Sequence, residues 1–135
     1  MDQIEIQEKA DYWNDLSQYD LETARVMLDG RRYLYVGFMC HQSVEKALKA
    51  CHWFMIQAEP EYTHSLSRLA RKAGLIAELS ESQKSFIDLL EPMNIEARYP
   101  TDKAKLSKVL THERCEQILA STRGLVEWLR KKYAK

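Results

Sequence analysis

Residues 33–57, YLYVGFMCHQSVEKALKACHWFMIQ, decide the fold of this 135-residue chain. An apolar stripe recurs at helical spacing through the segment and a second stripe lies beside it, so the pattern predicts a helix that is buried on most sides. The first stripe contains Val36, Cys40, Val44, Ala47, Cys51 and Phe54, and the second contains Leu34, Phe38, Leu48 and Met55.

The preceding segment, residues 8–29, also has helical periodicity. Its apolar stripe, which Trp13 and Met27 widen, is formed by Tyr12, Leu16, Tyr19, Thr23 and Val26. Spacings of four and three predict an amphipathic helix with this stripe towards the core and Asp15, Glu22 and Arg25 on the opposite face. Gly30 is then expected to be a left-handed C-cap, which makes the two segments a helical hairpin.

Three further helices are expected after residue 58. A short helix carries Leu66, with Thr63 or His64 as its cap, and ends at Gly74. Ser80 and Gln83 form a capping box for the next helix, which Pro92 kinks or ends. Residues 94–107 are predicted to be the least regular part, and Thr111 caps the last helix. The chain is thus predicted to be one all-α domain over residues 1–135, an up-and-down antiparallel four-helix bundle with one additional short helix.

Composition excludes several classes of function. Twenty basic residues balance twenty acidic ones, so nucleic-acid contact requires a local patch. The sequence has no phosphate-binding glycine loop, zincin motif or nucleophile elbow, and the spacing of its histidines predicts no metal site. No apolar segment suits export or a membrane span, and the three cysteines are unpatterned, so we expect a cytoplasmic protein with buried, reduced thiols and no cofactor.

A narrow polar stripe crosses the apolar helix. Its members are Gln42, Glu45, Lys46 and Lys49, and Glu45 and Lys49 have the favourable order for an i,i+4 ion pair. The pair could satisfy itself inside the core, with Gln42 bonding a neighbouring helix. Alternatively, the stripe could face Arg98 and complete a pocket.

Several segments together resemble the HEPN family of small prokaryotic helical proteins. They are Tyr-Asp-Leu-Glu-Thr-Ala-Arg (19–25), the run from Arg32 to Ala50 that contains Gln-Ser-Val-Glu-Lys-Ala-Leu-Lys-Ala (42–50), Thr-His-Ser-Leu (63–66) and Glu-Ala-Arg-Tyr-Pro (96–100). The resemblance runs in order from about Asp11 to Leu129. It implies an all-α bundle that commonly dimerises and is often encoded beside a minimal nucleotidyltransferase, in a family with nucleotide-binding and RNA-cleaving members.

The sequence departs from the pattern of the RNA-cleaving members. Those members carry an arginine, four to six arbitrary residues and then a histidine, whereas Lys103, Ala104 and Lys105 stand at the corresponding positions after Arg98. The ribonuclease activity therefore cannot be carried over from the resemblance. Arg98 and Tyr99, with Lys103, Lys105 and Lys108, could still hold a phosphate through a guanidinium, an aromatic face and ammonium groups.

Three functional hypotheses follow. The first is a homodimeric, non-catalytic module that binds a nucleotide or RNA phosphate and pairs with a minimal nucleotidyltransferase, as in a toxin–antitoxin system. The second is a divergent ribonuclease toxin in which Arg98 meets a sequence-distant histidine, with His64, His41 and His112 as candidates. The third is an assembly subunit that only docks another protein. None of these hypotheses involves a membrane.

Overall fold

The computed structural model of the chain describes residues 1–95 and 98–134. This part of the chain contains six α-helices and no strand. The helices are α1 (Gln3–Asp29), α2 (Tyr33–Ile56), α3 (Leu66–Lys72), α4 (Glu81–Leu90), α5 (Pro100–Val109) and α6 (His112–Arg130), and a 3-10 turn (Glu91–Met93) follows α4. The all-α prediction is confirmed.

Helix α2 is the centre of the bundle. Fifteen of its 24 residues are buried, and Val36, Cys40 and Leu48 are fully inaccessible to solvent. Helix α2 returns along α1 after a three-residue turn. Helix α6 packs against both of these helices, and α3 and α4 cover the remaining side of α2. The expectation of a helix buried on most sides is therefore confirmed, and the polar residues of α2 lie within the core.

The predicted core face of α1 was partly wrong. Tyr12, Tyr19 and Val26 are 59%, 69% and 61% exposed, whereas the fully buried positions include Ala10, Ser17 and Ala24. These small side chains let α1 approach α2 closely, and the hydroxyl groups of Ser17 and Ser43 each donate to the other residue's carbonyl across the contact, at 2.7 and 2.9 Å. The larger residues of the stripe consequently remain outside, and α1 begins five residues before the predicted start.

The cap predictions had mixed outcomes. The capping box of Ser80 and Gln83 and the Thr111 cap are both present. The cap of α3 is Ser65, not Thr63 or His64, because the Ser65 hydroxyl accepts from the Arg68 N–H at 3.3 Å. The left-handed residue after α1 is Arg31, with φ of 59°, and not Gly30.

Residues 94–107 are more regular than expected, because α5 occupies most of this segment. Pro100 stands at its first helical position, where proline needs no N–H and its fixed φ suits the helix. This proline therefore marks a helix start inside the segment that was expected to be irregular. Glu96 and Ala97, which open the Glu-Ala-Arg-Tyr-Pro motif, lie outside the described residues.

The cysteines behave as small apolar residues. Cys40, Cys51 and Cys115 are free and buried, as expected. Burial raises the pKa of Cys40 and Cys51 to about 12 and that of Cys115 to about 11. Within the described chain, no helix has the length and apolar character needed to cross a membrane.

Candidate functional site

The polar stripe of α2 is organised around the Glu45 carboxylate, which is buried in the bundle. Lys49 Nζ donates to Glu45 Oε2 at 3.0 Å, and this confirms the i,i+4 pair. His64, just before α3, places its Nδ1 3.0 Å from Glu45 Oε1. The His64 side chain is 49% exposed, so the arrangement is a solvent-accessible imidazole oriented by a buried carboxylate.

His41 lies one helical turn before Glu45 and is fully buried. Its Nδ1 is 3.3 Å from Gln42 Oε1, and no described protein group pairs with its Nε2. Gln42 thus bonds a residue of its own helix, and within residues 1–95 and 98–134 it has no hydrogen bond to a neighbouring helix. Burial lowers the pKa of His41 below 6.5, and the nearby Glu45 carboxylate opposes this shift. The imidazole is therefore held neutral in the core near pH 7.

The two lysines of the stripe act separately. Lys46 forms an ion pair with Asp20 and thereby links α2 to α1. Lys49 extends past Glu45 until its Nζ lies 4.9 Å from the centre of the Trp13 ring. Neither lysine approaches the groove that contains Arg98, so the stripe does not complete a pocket there.

Arg98 is anchored to the end of α4. Its Nε donates to the Pro92 carbonyl at 3.0 Å, and Nη2 donates to the Glu91 carbonyl at 3.4 Å. A guanidinium at these C-terminal carbonyls complements the negative end of the helix. Because a guanidinium has further N–H donors, the fixed group can still offer a hydrogen bond to an anion.

The groove beside Arg98 has a volume of about 350 Å³. Its lining consists of Pro92, Arg98, Asp102, Lys105, Leu106 and Val109. The structure therefore brings Arg98 and Lys105 together over an apolar floor, and Asp102 reduces the positive charge there. Tyr99 and Lys103 do not line this groove; Tyr99 is 77% exposed at the N-terminus of α5.

Glu91 connects this groove to the histidines, a role that the sequence pattern did not indicate. While its carbonyl accepts from Arg98, its Oε1 accepts from the Ser67 N–H at 2.8 Å and the Ser67 hydroxyl at 3.1 Å. Ser67 lies three residues after His64. The Glu91 charge also acts on His41. Glu91 therefore lies between Arg98, which binds its carbonyl, and the first turn of α3, just after His64; no hydrogen bond among the described residues joins Arg98 to either histidine.

A larger cleft, of about 560 Å³, was not anticipated from the sequence. Its aromatic walls come from α1, α2 and the loop before α3, and consist of Tyr12, Trp13, Trp53 and Tyr62. Lys9 and Lys49 lie over the Trp53 and Trp13 rings. The only available signal was the presence of aromatic residues in three separate segments, which does not predict that these residues meet.

The remaining candidate residues form no metal centre. No group of three metal-ligating side chains is placed to hold an ion among residues 1–95 and 98–134. Both ring nitrogens of His112 are engaged, Nδ1 with the Tyr33 hydroxyl at 3.0 Å and Nε2 with Glu116 at 2.9 Å. His112 is consequently the least available of the three candidate histidines.

A family model for the HEPN domain matches residues 10–132. The chain belongs to the HEPN domain family. The crystal structure of TT1696 from Thermus thermophilus is similar to this HEPN chain, with a TM-score of 0.77 and 21% sequence identity, over 92% of this chain and 98% of that one. This likeness shows the fold alone. No curated protein sequence matches the chain.

The HEPN bundle has three features that could bind a ligand: the Glu45 cluster in the core, the Arg98 groove along α5, and the aromatic cleft beside α1, which shares Lys49 with the cluster. The groove combines two basic side chains with open access to solvent. The core cluster instead offers a proton-accepting imidazole at its edge.

Proposed function

We propose that this HEPN protein is a non-catalytic cytoplasmic module that binds the phosphate of a nucleotide or of RNA in the Arg98 groove. The observation that carries the proposal is the joint placement of Arg98 and Lys105 in one groove at the first turns of α5. A fixed guanidinium forms charge-assisted hydrogen bonds with phosphate oxygens, and a flexible ammonium adds attraction.

The start of α5 adds a second contribution. Tyr99 occupies its N-cap position without a side-chain hydrogen bond to the first turn, and a proline follows. Helix N-termini attract anions through their free N–H groups and the helix dipole. Arg98, directly before this N-terminus, would orient a phosphate towards it, with Tyr99 exposed beside it as a stacking surface for a base.

Binding is tested with the full chain by titrating ATP, GTP and a short single-stranded RNA in a calorimeter at low salt. We expect Lys105→Ala to weaken binding about tenfold, since it removes one charge-assisted contact. Lys108→Ala is the matched control, because Lys108 lies on the same helix but outside the groove, and it should bind as the parent does. Equal affinity of the parent and both variants, or no binding by the parent, would contradict the proposal.

The HEPN resemblance also supports a proposal about protein partners. We propose that the protein forms a homodimer and pairs with a minimal nucleotidyltransferase, as in toxin–antitoxin systems. Coexpression with such a protein encoded beside the gene, followed by light scattering of the purified material, tests both statements. A stable complex with defined stoichiometry is the expected result, and separate elution of a monomer and the transferase would overturn them.

A divergent ribonuclease is the second candidate, and the groups around Glu91 favour it. His64 has the geometry of a general base, with Nδ1 held by Glu45 and half of the side chain exposed. Arg98 binds the carbonyl of Glu91, whose carboxylate accepts from Ser67, three residues after His64. Such a pair suits RNA cleavage without a metal, in which a base activates the 2′-hydroxyl and a cation stabilises the phosphate charge.

Cleavage is tested by incubating the protein with RNA in EDTA. If the protein is a ribonuclease, the parent and His112→Ala should both produce RNA fragments, whereas His64→Ala and Arg98→Ala should produce none. The binding module predicts no products from any of the four proteins. Equal cleavage by all four would indicate a contaminating nuclease and remove the second candidate.

A further inference from the structure

The exposed apolar side chains of α1 recur with a coiled-coil period. Tyr12, Tyr19 and Val26 are seven residues apart, and the half-buried Leu16 and Thr23 lie between them. In heptad notation the three exposed residues take d positions and the other two take a positions. The seam is about 21 Å long at 1.5 Å per residue, and no described element of the chain covers its d positions.

The flank of this seam is uniformly acidic. The g positions of the same heptad are Glu8, Asp15, Glu22 and Asp29, all exposed. Across α1, seven acidic residues face two basic ones, Lys9 and Arg25, a net charge of −5. Among the described residues, only Asp29 of these four forms an ion pair, with Arg25 at 3.4 Å. The opposite flank of the seam turns towards α2.

We propose that the α1 seam is a docking surface for a basic amphipathic helix of another protein. The heptad spacing of exposed side chains selects a helical partner, because only another helix presents apolar side chains at the same period along the same length. The acidic g positions select lysine or arginine on the facing edge of that partner. This inference concerns a surface distinct from the Arg98 groove and holds whether or not the groove binds phosphate.

A second copy of α1 is a poor occupant of the same seam. In an antiparallel pair related by a two-fold axis, the two acidic flanks would lie on the same side and repel each other. In a parallel pair, each acidic flank would face the α2 side of the other copy, whose e positions, Ile6, Trp13, Asp20 and Met27, include no basic residue. Charge complementarity therefore favours a basic partner over self-pairing.

The test uses the full chain and a synthetic three-heptad peptide with leucine at a and d and lysine at e and g, because these lysines suppress pairing of the peptide with itself. Two further peptides serve as controls: one with glutamate in place of lysine, and one with the same composition in scrambled order. Binding is measured by fluorescence anisotropy. We expect the heptad lysine peptide to bind, and both controls to bind at least about tenfold more weakly.

Paired variants locate the peptide. The double variant Tyr19→Ser with Val26→Ser removes two apolar side chains of the seam, and Asp15→Lys with Glu22→Lys reverses the charge of its acidic flank. Each pair should weaken binding of the peptide about tenfold or more. Tyr35→Ser and Asp88→Lys are matched controls, an exposed tyrosine and an exposed aspartate on other helices, and should leave binding unchanged. Circular dichroism confirms that all variants fold.

Three results would overturn the proposal. The first is equal binding of the ordered and scrambled peptides, and the second is equal binding by the parent and the seam variants. The third is a dimer of the parent, seen by light scattering, that dissociates in Tyr19→Ser with Val26→Ser. That result would assign the seam to a second copy of this chain.

Discussion

At the scale of single residues, the buried Glu45 carboxylate is the most demanding feature of the molecule. A carboxylate in the core is tolerated only with partners, and Lys49 and His64 supply them. The sequence predicted the Lys49 pair from helical spacing alone. It could not predict His64, since the loop between α2 and α3 sets the position of that ring.

We predict that Glu45→Gln lowers the free energy of unfolding by about 3 kcal/mol, because it leaves the Lys49 charge buried without its counterion. Urea denaturation measures the change. Glu81→Gln is the control: it breaks the exposed pair with Lys84 and should cost no more than about 0.5 kcal/mol. Similar losses in the two variants would show that the Glu45 pair has no special energetic role.

His41 predicts how stability depends on pH. Burial lowers its pKa in the folded state below 6.5, so the unfolded chain binds the proton more readily. The contribution of neutral His41 to the free energy of unfolding is fully present above pH 6.5 and is lost as the pH falls towards the folded-state pKa. The urea midpoint should therefore decrease between pH 7.5 and 5.5, and less so in His41→Phe. The control His112→Gln, at an exposed histidine, should show the same decrease in urea midpoint as the parent. An equally large decrease in His41→Phe would show that His41 is not its cause.

At the scale of elements, periodicity predicted the helices better than it predicted their faces. The pattern of α1 predicted a stripe of larger residues, whereas the buried face contains Ala10, Ser17 and Ala24. Close packing against α2 selected the small residues, because the distance between helix axes depends on the side chains in the contact. Hydrophobicity alone does not encode that distance. A proline such as Pro100 can either interrupt a helix or begin one, and the sequence alone does not distinguish these two cases. In the structure it is the first residue of α5.

Helix α4 gives the element-scale prediction. Ser80→Ala removes the hydroxyl that accepts from the Gln83 N–H at 3.1 Å and should destabilise the protein by about 1 kcal/mol. Ser85→Ala changes an exposed serine inside the same helix and should be neutral or slightly stabilising, since alanine has the higher helix propensity. Thermal unfolding of both variants measures the difference. Equal melting temperatures would show that the capping box does not limit stability.

At the scale of the whole molecule, the balance of twenty basic against twenty acidic residues conceals a separation of charge. Helix α1 carries a net −5, so the remainder of the neutral chain carries +5. The Arg98 groove and the acidic seam are therefore features of one surface on which opposite charges are separated. The sequence showed the basic cluster between residues 98 and 108, and the fold shows which of its members share a groove.

The thiols report on the integrity of the whole bundle. Because the pKa values of Cys40 and Cys51 rise to about 12, a thiol reagent at pH 8 should label the folded protein only at the rate of unfolding. Labelling should reach all three cysteines in guanidinium chloride. Rapid labelling of the native protein, followed by mass spectrometry, would contradict the burial of these residues.

We propose that phosphate binds in the Arg98 groove along α5. Nuclear magnetic resonance tests it most directly, by titrating ATP into the nitrogen-15-labelled full chain and following backbone amides and tryptophan indoles. We expect the amides of residues 99 and 101–109 to shift first and Lys105→Ala to move these shifts to about tenfold higher ATP, while the Trp13 and Trp53 indoles remain in place. Shifts confined to those indoles, or no shifts at millimolar ATP, would contradict it.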